Sequence, residues 1–249
     1  MKRPDWTIAI GIALGAAAIV AGAWLDGLNI SFLWHPTAAL IVFGGTLGAV
    51  IVRRGGSGVT GAIRAIFAAS LKANVEEERR LELSKLTWLS RSAQKNGFKA
   101  YEAFADSSKD GLVARGLRMV ADHTDREHLE RSLSRELEKE MSDGLQHAST
   151  LEAAGAFAPT FGIIGAVLGL IAVLRVLDKP EALGVGIATA FVATLYGIGV
   201  ANLLFFPLAA RLRGQHEDRM RHREEIASVI LALADRESPI SIASRFSLK

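Results

Sequence analysis

Apolar residues gather in four stretches, at positions 8–25, 36–52, 157–177 and 184–210, and polar residues fill the intervals between them. A bilayer core is crossed by about 20 apolar residues rising 1.5 Å each. Each stretch therefore predicts a transmembrane helix. The third and fourth are parted only by Asp178-Lys179-Pro180-Glu181, which predicts a helical hairpin. The first two are joined by residues 26–35, which contain no Lys or Arg.

Between the second and third stretches the pattern takes a helical period. Leu129, Leu133, Leu137, Met141 and Leu145 recur every four residues, with Arg131, Arg135, Glu136, Glu138, Lys139 and Glu140 on the other faces. No strong breaker stands between Leu145 and Ala158, so this amphipathic helix is expected to run into the third span. Beyond the fourth span Met220, Ile226, Val229, Ile230 and Leu233 continue a helix toward Pro239, and no strand pattern competes. The fold class expected is all-α: a polytopic membrane protein with four transmembrane helices and a helical cytoplasmic domain. Its predicted parts are a first transmembrane hairpin (1–52), a cytoplasmic helical domain (53–152), a second transmembrane hairpin (153–210) and a cytoplasmic C-terminal helix and tail (211–249).

Charge orients these parts. Of 29 Lys and Arg, two precede the first span, 17 lie between residues 53 and 152, and eight follow residue 210. Only Arg175 and Lys179 lie toward the other side. The positive-inside rule puts both termini and the middle segment in the cytoplasm, with Arg53, Arg54, Arg211 and Arg213 at the span ends deciding it. Lys2-Arg3 followed by an apolar run and Ala21-Gly22-Ala23 also fits a cleaved secretory signal, but the stop at Arg53-Arg54 favours a retained span. A pI near 9.3 hints at nucleic acid, yet the basic residues are interleaved with Asp and Glu, so membrane lipid and not nucleic acid is the expected surroundings. With no cysteine, zinc-thiolate sites and thiol nucleophiles are excluded.

Little points to an enzyme. The six His are scattered, with His123 and His128 five apart and no His-Glu-x-x-His arrangement. Gly44-Gly45 and the run Gly55-Gly56-Ser57-Gly58 do not follow strands, so no nucleotide, metal or other cofactor is expected. The bilayer holds instead an uncharged polar set: Thr160, Thr189, Thr194, Tyr196 and Asn202. Such groups face a bundle interior, a partner or a water path, unless each hydroxyl bonds its own helix carbonyl four residues back. Pro159 and Pro207 each remove a ladder hydrogen bond near the cytoplasmic end of the hairpin, giving two hinge points at similar depth. Small residues line every span, as at Gly11, Gly15, Ala18 and Gly22, or Thr189, Ala193, Gly197 and Ala201. They allow close packing within the chain or between copies.

The stretch Ala158-Pro159-Thr160-Phe161-Gly162-Ile163-Ile164-Gly165, the turn at Asp178-Lys179-Pro180, and Ala193-Thr194-Leu195-Tyr196-Gly197 through Pro207 resemble the MotA, TolQ and ExbB family of proton-channel proteins, in its flagellar-motor branch. The resemblance covers the whole topology. It implies a bacterial inner-membrane, multi-pass subunit with no catalytic activity of its own, in a homo-pentamer around a MotB dimer whose single membrane helix supplies the ion-binding aspartate. Ion flow would turn the ring and drive the cytoplasmic loop against FliG of the rotor. An ExbB- or TolQ-like energiser of outer-membrane processes is the alternative.

Residue by residue, the resemblance makes Pro159 and Pro207 the coupling hinges. Thr194, Ala166, Thr160, Thr189 and Tyr196 become the ion path, and Lys95, Glu102 and Arg91 the rotor contact. Lys95 and Glu102, seven apart, would share one face if their segment is helical. Gln94 departs from the arginine that related loops often carry. Ala156 departs from an aspartate common three residues before the hinge proline, with Glu152 one turn earlier. Sodium-driven relatives tend to place a threonine where Ala166 stands. A sodium shell needs several oxygens, so the transported ion is expected to be H+ rather than Na+.

Overall fold

The computed structural model describes residues 3–4, 6–27, 30–69, 71–72, 75–178 and 180–245. Lys2, Lys179 and Lys249, which entered the charge count, lie outside the described residues. Among the described residues the fold is helical apart from one two-residue antiparallel pairing, Arg3–Pro4 with Leu71–Lys72, which no sequence pattern announced. Among the described residues four helices are long and apolar enough to cross a membrane, and the chain is a multi-pass membrane protein. The chain forms two compact units: Met1–Lys72 with Leu145–Gly214, and Ala73–Gly144 with Gln215–Lys249.

This division differs from the contiguous parts expected. Residues 53–72 and 145–152 stay with the membrane-spanning unit because Ala62, Leu151, Leu208 and Ala209 form one buried cluster. The C-terminal segment joins the polar unit because Ile226, Val229, Ile230, Leu233 and Ile242 are buried with Leu83, Leu86 and Leu89.

In the membrane-spanning unit the first helix, Trp6–Leu25, has no buried residue. Trp6 and Trp24 mark its two ends, both largely exposed, as aromatic residues do at membrane interfaces. The second long helix starts at Pro36, passes through a π-turn at Leu40–Gly44 and continues over Gly45–Ala69. Gly55 interrupts it with φ 70° and ψ 169°, directly after Arg53-Arg54, so the straight membrane span ends where the charge pattern placed its end.

The helix Arg126–Leu174 carries Pro159 without breaking. Opposite it, Pro180–Val200 leads through a second π-turn, Ala201–Phe205, into Phe206–Ala234. The wide turn falls just before Pro207, where the missing N–H already relaxes the ladder. Glycines let these two helices touch through their backbones. A Cβ on Gly162 would sit 3.0 Å from the Ala193 carbonyl oxygen, one on Gly169 2.7 Å from the Gly186 oxygen, and one on Gly197 2.6 Å from the Ala158 oxygen.

The polar unit has a conventional core. Leu112, Leu117, Leu129, Ile226, Ile230 and Leu233 are almost fully buried. A four-residue step overshoots the 3.6-residue turn by about 40° each time. The Leu129 stripe accordingly drifts out of the core: Leu129 and Leu133 are buried, while Leu137, Met141 and Leu145 are half-buried. Arg223 crosses this unit to Glu140, with nitrogen–oxygen distances of 2.9 and 2.7 Å, and also reaches Asp110. Burial disfavours its charge, but the hydrogen bonds to Glu140 and Asp110 outweigh that and hold its proton more tightly than usual. Burial likewise pushes the Tyr101 hydroxyl above its ordinary range, against the opposing charge of Arg236.

Gly197 and Gly199 make a controlled pair, since nothing lies within 4 Å of a Cβ placed on Gly199. Gly197→Val is expected to destabilise the detergent-purified protein by about 1–3 kcal/mol or more, the usual range for overpacking. Gly199→Val should leave thermal unfolding within a degree or two of the parent. Equal behaviour of the two would overturn the close-contact account.

Candidate functional site

The two prolines expected to act as hinges lie beside the glycine contact. The backbone of Pro159 faces Gly197, whose added Cβ would come within 3.1 Å of the Pro159 Cα. One turn earlier, Gly155 lies against the ring of Phe206, the residue before Pro207, at 2.7 Å from an added Cβ. Each leg of the hairpin is thus weakened where the other leg presses closest. At that level Glu152 pairs with Arg213 at 2.6 Å, and Ala156 is exposed.

The polar set divides into two groups. Thr160 donates to the Ala156 carbonyl at 3.1 Å, Thr194 to Ala190 at 3.1 Å and Asn202 to Ile198 at 2.9 Å, all on their own helix. Thr194 sits across from Gly162, Ala166 is half-buried, and Thr160 and Asn202 are exposed. These residues do not converge on one point within the single chain.

Thr189 and Tyr196 do converge, on a partner the sequence reading passed over. The Tyr196 hydroxyl donates to the Leu33 carbonyl and accepts the His35 backbone N–H at 3.3 Å. Thr189 gives its proton to the Val185 carbonyl at 2.8 Å, so its oxygen accepts from Nε2–H of His35 at 3.1 Å. That leaves Nδ1 of His35 as a buried lone pair without a hydrogen-bond partner. The cluster pins the start of the second span to the fourth. A histidine directly before the proline that opens a membrane helix was the available signal.

The residues expected to meet the rotor require a correction in their geometry. Lys95 and Glu102 do not share a helix face, because the helix Val75–Asn96 stops and a new one begins at Lys99. Gly97, at φ 66°, takes the left-handed conformation that glycine favours at helix ends, and its N–H closes on the Ala93 carbonyl at 2.9 Å. Arg91, Lys95 and Glu102 are all exposed, and none makes an ion pair among the described residues.

Two family models match this chain. The one described as the MotA/TolQ/ExbB proton channel family matches residues 104–225, and Motility protein A N-terminal matches residues 9–97. The chain is 31% identical to Motility protein A of Bacillus subtilis (strain 168) over 238 residues, 94% of this chain and 87% of the relative. The chain belongs to the MotA/TolQ/ExbB proton channel family. Within this family it is also 29% identical to Motility protein A of Helicobacter pylori (strain ATCC 700392 / 26695), covering 97% and 93% of the two chains. Its fold is similar to that in the solved MotAB structure of C. jejuni, at TM-score 0.85 and 25% identity over 98% of this chain and 96% of that one. It is similar too to that in the flagellar MotAB stator complex from Bacillus subtilis, at TM-score 0.83 and 29% identity, covering 97% and 94%.

Tyr196→Phe leaves the Leu33 carbonyl without its donor and is expected to cost about 1–3 kcal/mol. Thr160→Val, exposed and bonded only to its own helix, should stay within about 0.5 kcal/mol of the parent. Thermal unfolding of the purified variants compares them, and equal midpoint shifts would remove the pin.

Proposed function

We propose that this chain is the channel-forming subunit of a flagellar stator in the bacterial inner membrane, with both termini in the cytoplasm, converting ion flow into torque. The observation that carries this reading is the closely packed hairpin hinged at Pro159 and Pro207, in a chain matched along its length by motility proteins. The two spans of the second hairpin, 157–177 and 184–210, hold hydroxyls but no carboxylate, which supports an ion-binding acid supplied by a partner. The MotAB complexes among the structural neighbours support MotB as that partner, proposed as a dimer. The first helix, with no buried residue and open space at Gly11 and Gly22, has a face free for a neighbouring copy, which supports a homo-pentameric ring. Exposed Arg91, Lys95 and Glu102 supply the charges that meet FliG, from two helices joined at Gly97. Four membrane helices and the match to the Motility protein A N-terminal model favour this role over an ExbB- or TolQ-like energiser.

The transported ion is H+. Ala166 offers no side-chain oxygen and Thr194 offers a single hydroxyl oxygen, so the pair supplies too few ligands for a sodium shell. Swimming of cells carrying this stator should persist when external sodium is replaced by potassium and collapse with a protonophore. Dependence on millimolar sodium would overturn the assignment.

Pro159→Leu restores an N–H able to bond the Gly155 carbonyl and so stiffens the leg at its contact with Gly197. The variant is expected to reach parental membrane levels and co-purify with MotB while swimming speed falls at least tenfold. If it fails to accumulate, or swims normally, the proline is not a hinge.

A further inference from the structure

Within the polar unit, a cleft of about 470 Å³ opens between the helix Gly111–Ala121 and the first part of Arg126–Leu174. Arg115 lines it from the first helix. His128, Arg131, Ser132, Arg135 and Lys139 line it from the second, and Glu136 is the single lining carboxylate. The spacing of three, four and four residues puts His128, Arg131, Arg135 and Lys139 on one helical face. Like charges at i,i+4 repel and weaken an isolated helix, yet here two such pairs follow in succession. The rest of the helix interleaves its charges, which sets this face apart.

The cations are only partly committed. Arg115 approaches Glu136 at 3.3 Å, but the facing Oε2 is buried without a hydrogen bond, so the guanidinium is near its counter-charge and not locked to it. Arg131 lies 3.6 Å from the Glu127 carboxylate and donates to the Glu127 carbonyl at 3.3 Å. Arg135, Lys139 and His128 have no hydrogen-bond or ion-pair partner among the described residues. Guanidinium groups present paired donors that match phosphate oxygens, and a concave wall of one sign concentrates counter-ions. A monovalent anion would satisfy one arginine. Four full positive charges around a volume of ligand size suit several negative charges close together.

We propose that this cleft binds a multiply charged phosphate-bearing anion, either a free polyphosphate or nucleotide phosphate or the headgroup of an anionic lipid. Bound there, the anion ties the short helix that carries Arg115 to the long helix that continues toward Pro159. Arg135 and Lys139 are the principal contacts, and Glu136 positions Arg115.

Isothermal titration of sodium tripolyphosphate into the full-length chain, purified in detergent with its MotB partner at near-physiological salt, tests the proposal. Saturable binding at one ligand per chain is expected. It should weaken at least tenfold in Arg135→Gln/Lys139→Gln, and Arg118→Gln, an exposed arginine paired with Asp106 outside the cleft, should bind as the parent does. Unliganded unfolding temperatures check that the variants fold; if the double variant does not, Arg115→Gln alone should also weaken binding. The same titration in lipid discs separates the two sources. Binding retained in discs of either phosphatidylcholine or phosphatidylglycerol supports a free phosphate ligand. Binding retained in phosphatidylcholine and lost in phosphatidylglycerol supports a lipid headgroup. Absence of saturable binding in detergent and in phosphatidylcholine discs, or equal binding by the parent and the cleft variants, overturns the proposal.

Discussion

The backbone-to-backbone contact of the third and fourth membrane helices is the constraint on which the rest of the structure depends. In lipid no hydrophobic force draws two helices together, so association rests on close packing and interhelical hydrogen bonds. Gly162, Gly165, Gly169, Gly186 and Gly197 supply that closeness, since a Cβ on any of them would press on the opposing helix. Pro159 lies in this contact, and Pro207 follows a residue that packs on Gly155. A helix that has lost a ladder bond is held in register by the partner leg. In the proposed motor subunit the two legs would therefore bend as a pair, and one side-chain change at the contact would reach both proposed hinges.

The two units are stabilised by different physics. The polar unit buries Leu, Ile and Val from five helices and ties its margins with ion pairs such as Arg79–Glu225 and Arg126–Asp235. The membrane-spanning unit buries mostly alanine, valine and threonine, and leaves large apolar side chains such as Leu14, Phe191 and Ile163 outward. Exposure of that kind would be a liability in water and is ordinary in hydrocarbon. Several of its hydroxyls are satisfied by their own helix, and the Tyr196–Leu33 and Thr189–His35 bonds fasten the start of the second span to the fourth, while Thr46 Oγ1 and His35 Nδ1 are buried without a hydrogen-bond partner.

What was legible in the sequence had a long or repeated signal. Four spans follow from length and composition, and the continuous helix from Arg126 into the third span from the absence of a breaker. What was missed turns on single residues or on contacts distant in sequence. Gly97 splits the segment carrying Lys95 and Glu102 through one left-handed residue, which a seven-residue spacing argument cannot see. The joining of residues 215–249 to residues 73–144 rests on side chains far apart along the chain, as with Leu83 and Ile230. The π-turns at Leu40–Gly44 and Ala201–Phe205 lack any composition of their own. His35 looked like an isolated surface histidine until the fold set it against Thr189.

The threonines bear on how the proposed complex would handle a proton. Thr160 and Thr194 each spend their own hydrogen on a carbonyl four residues back, so each oxygen keeps acceptor capacity only. An acceptor-only lining discriminates between the two states of a neighbouring carboxyl group. It accepts a hydrogen bond from the protonated acid and offers nothing to the carboxylate. In the proposed assembly, Thr194, across from Gly162, would thus favour the proton-loaded form of the MotB aspartate, and loss of that proton would weaken the contact. Protonation would then change how strongly the partner helix holds to one subunit, beside the two proposed hinges.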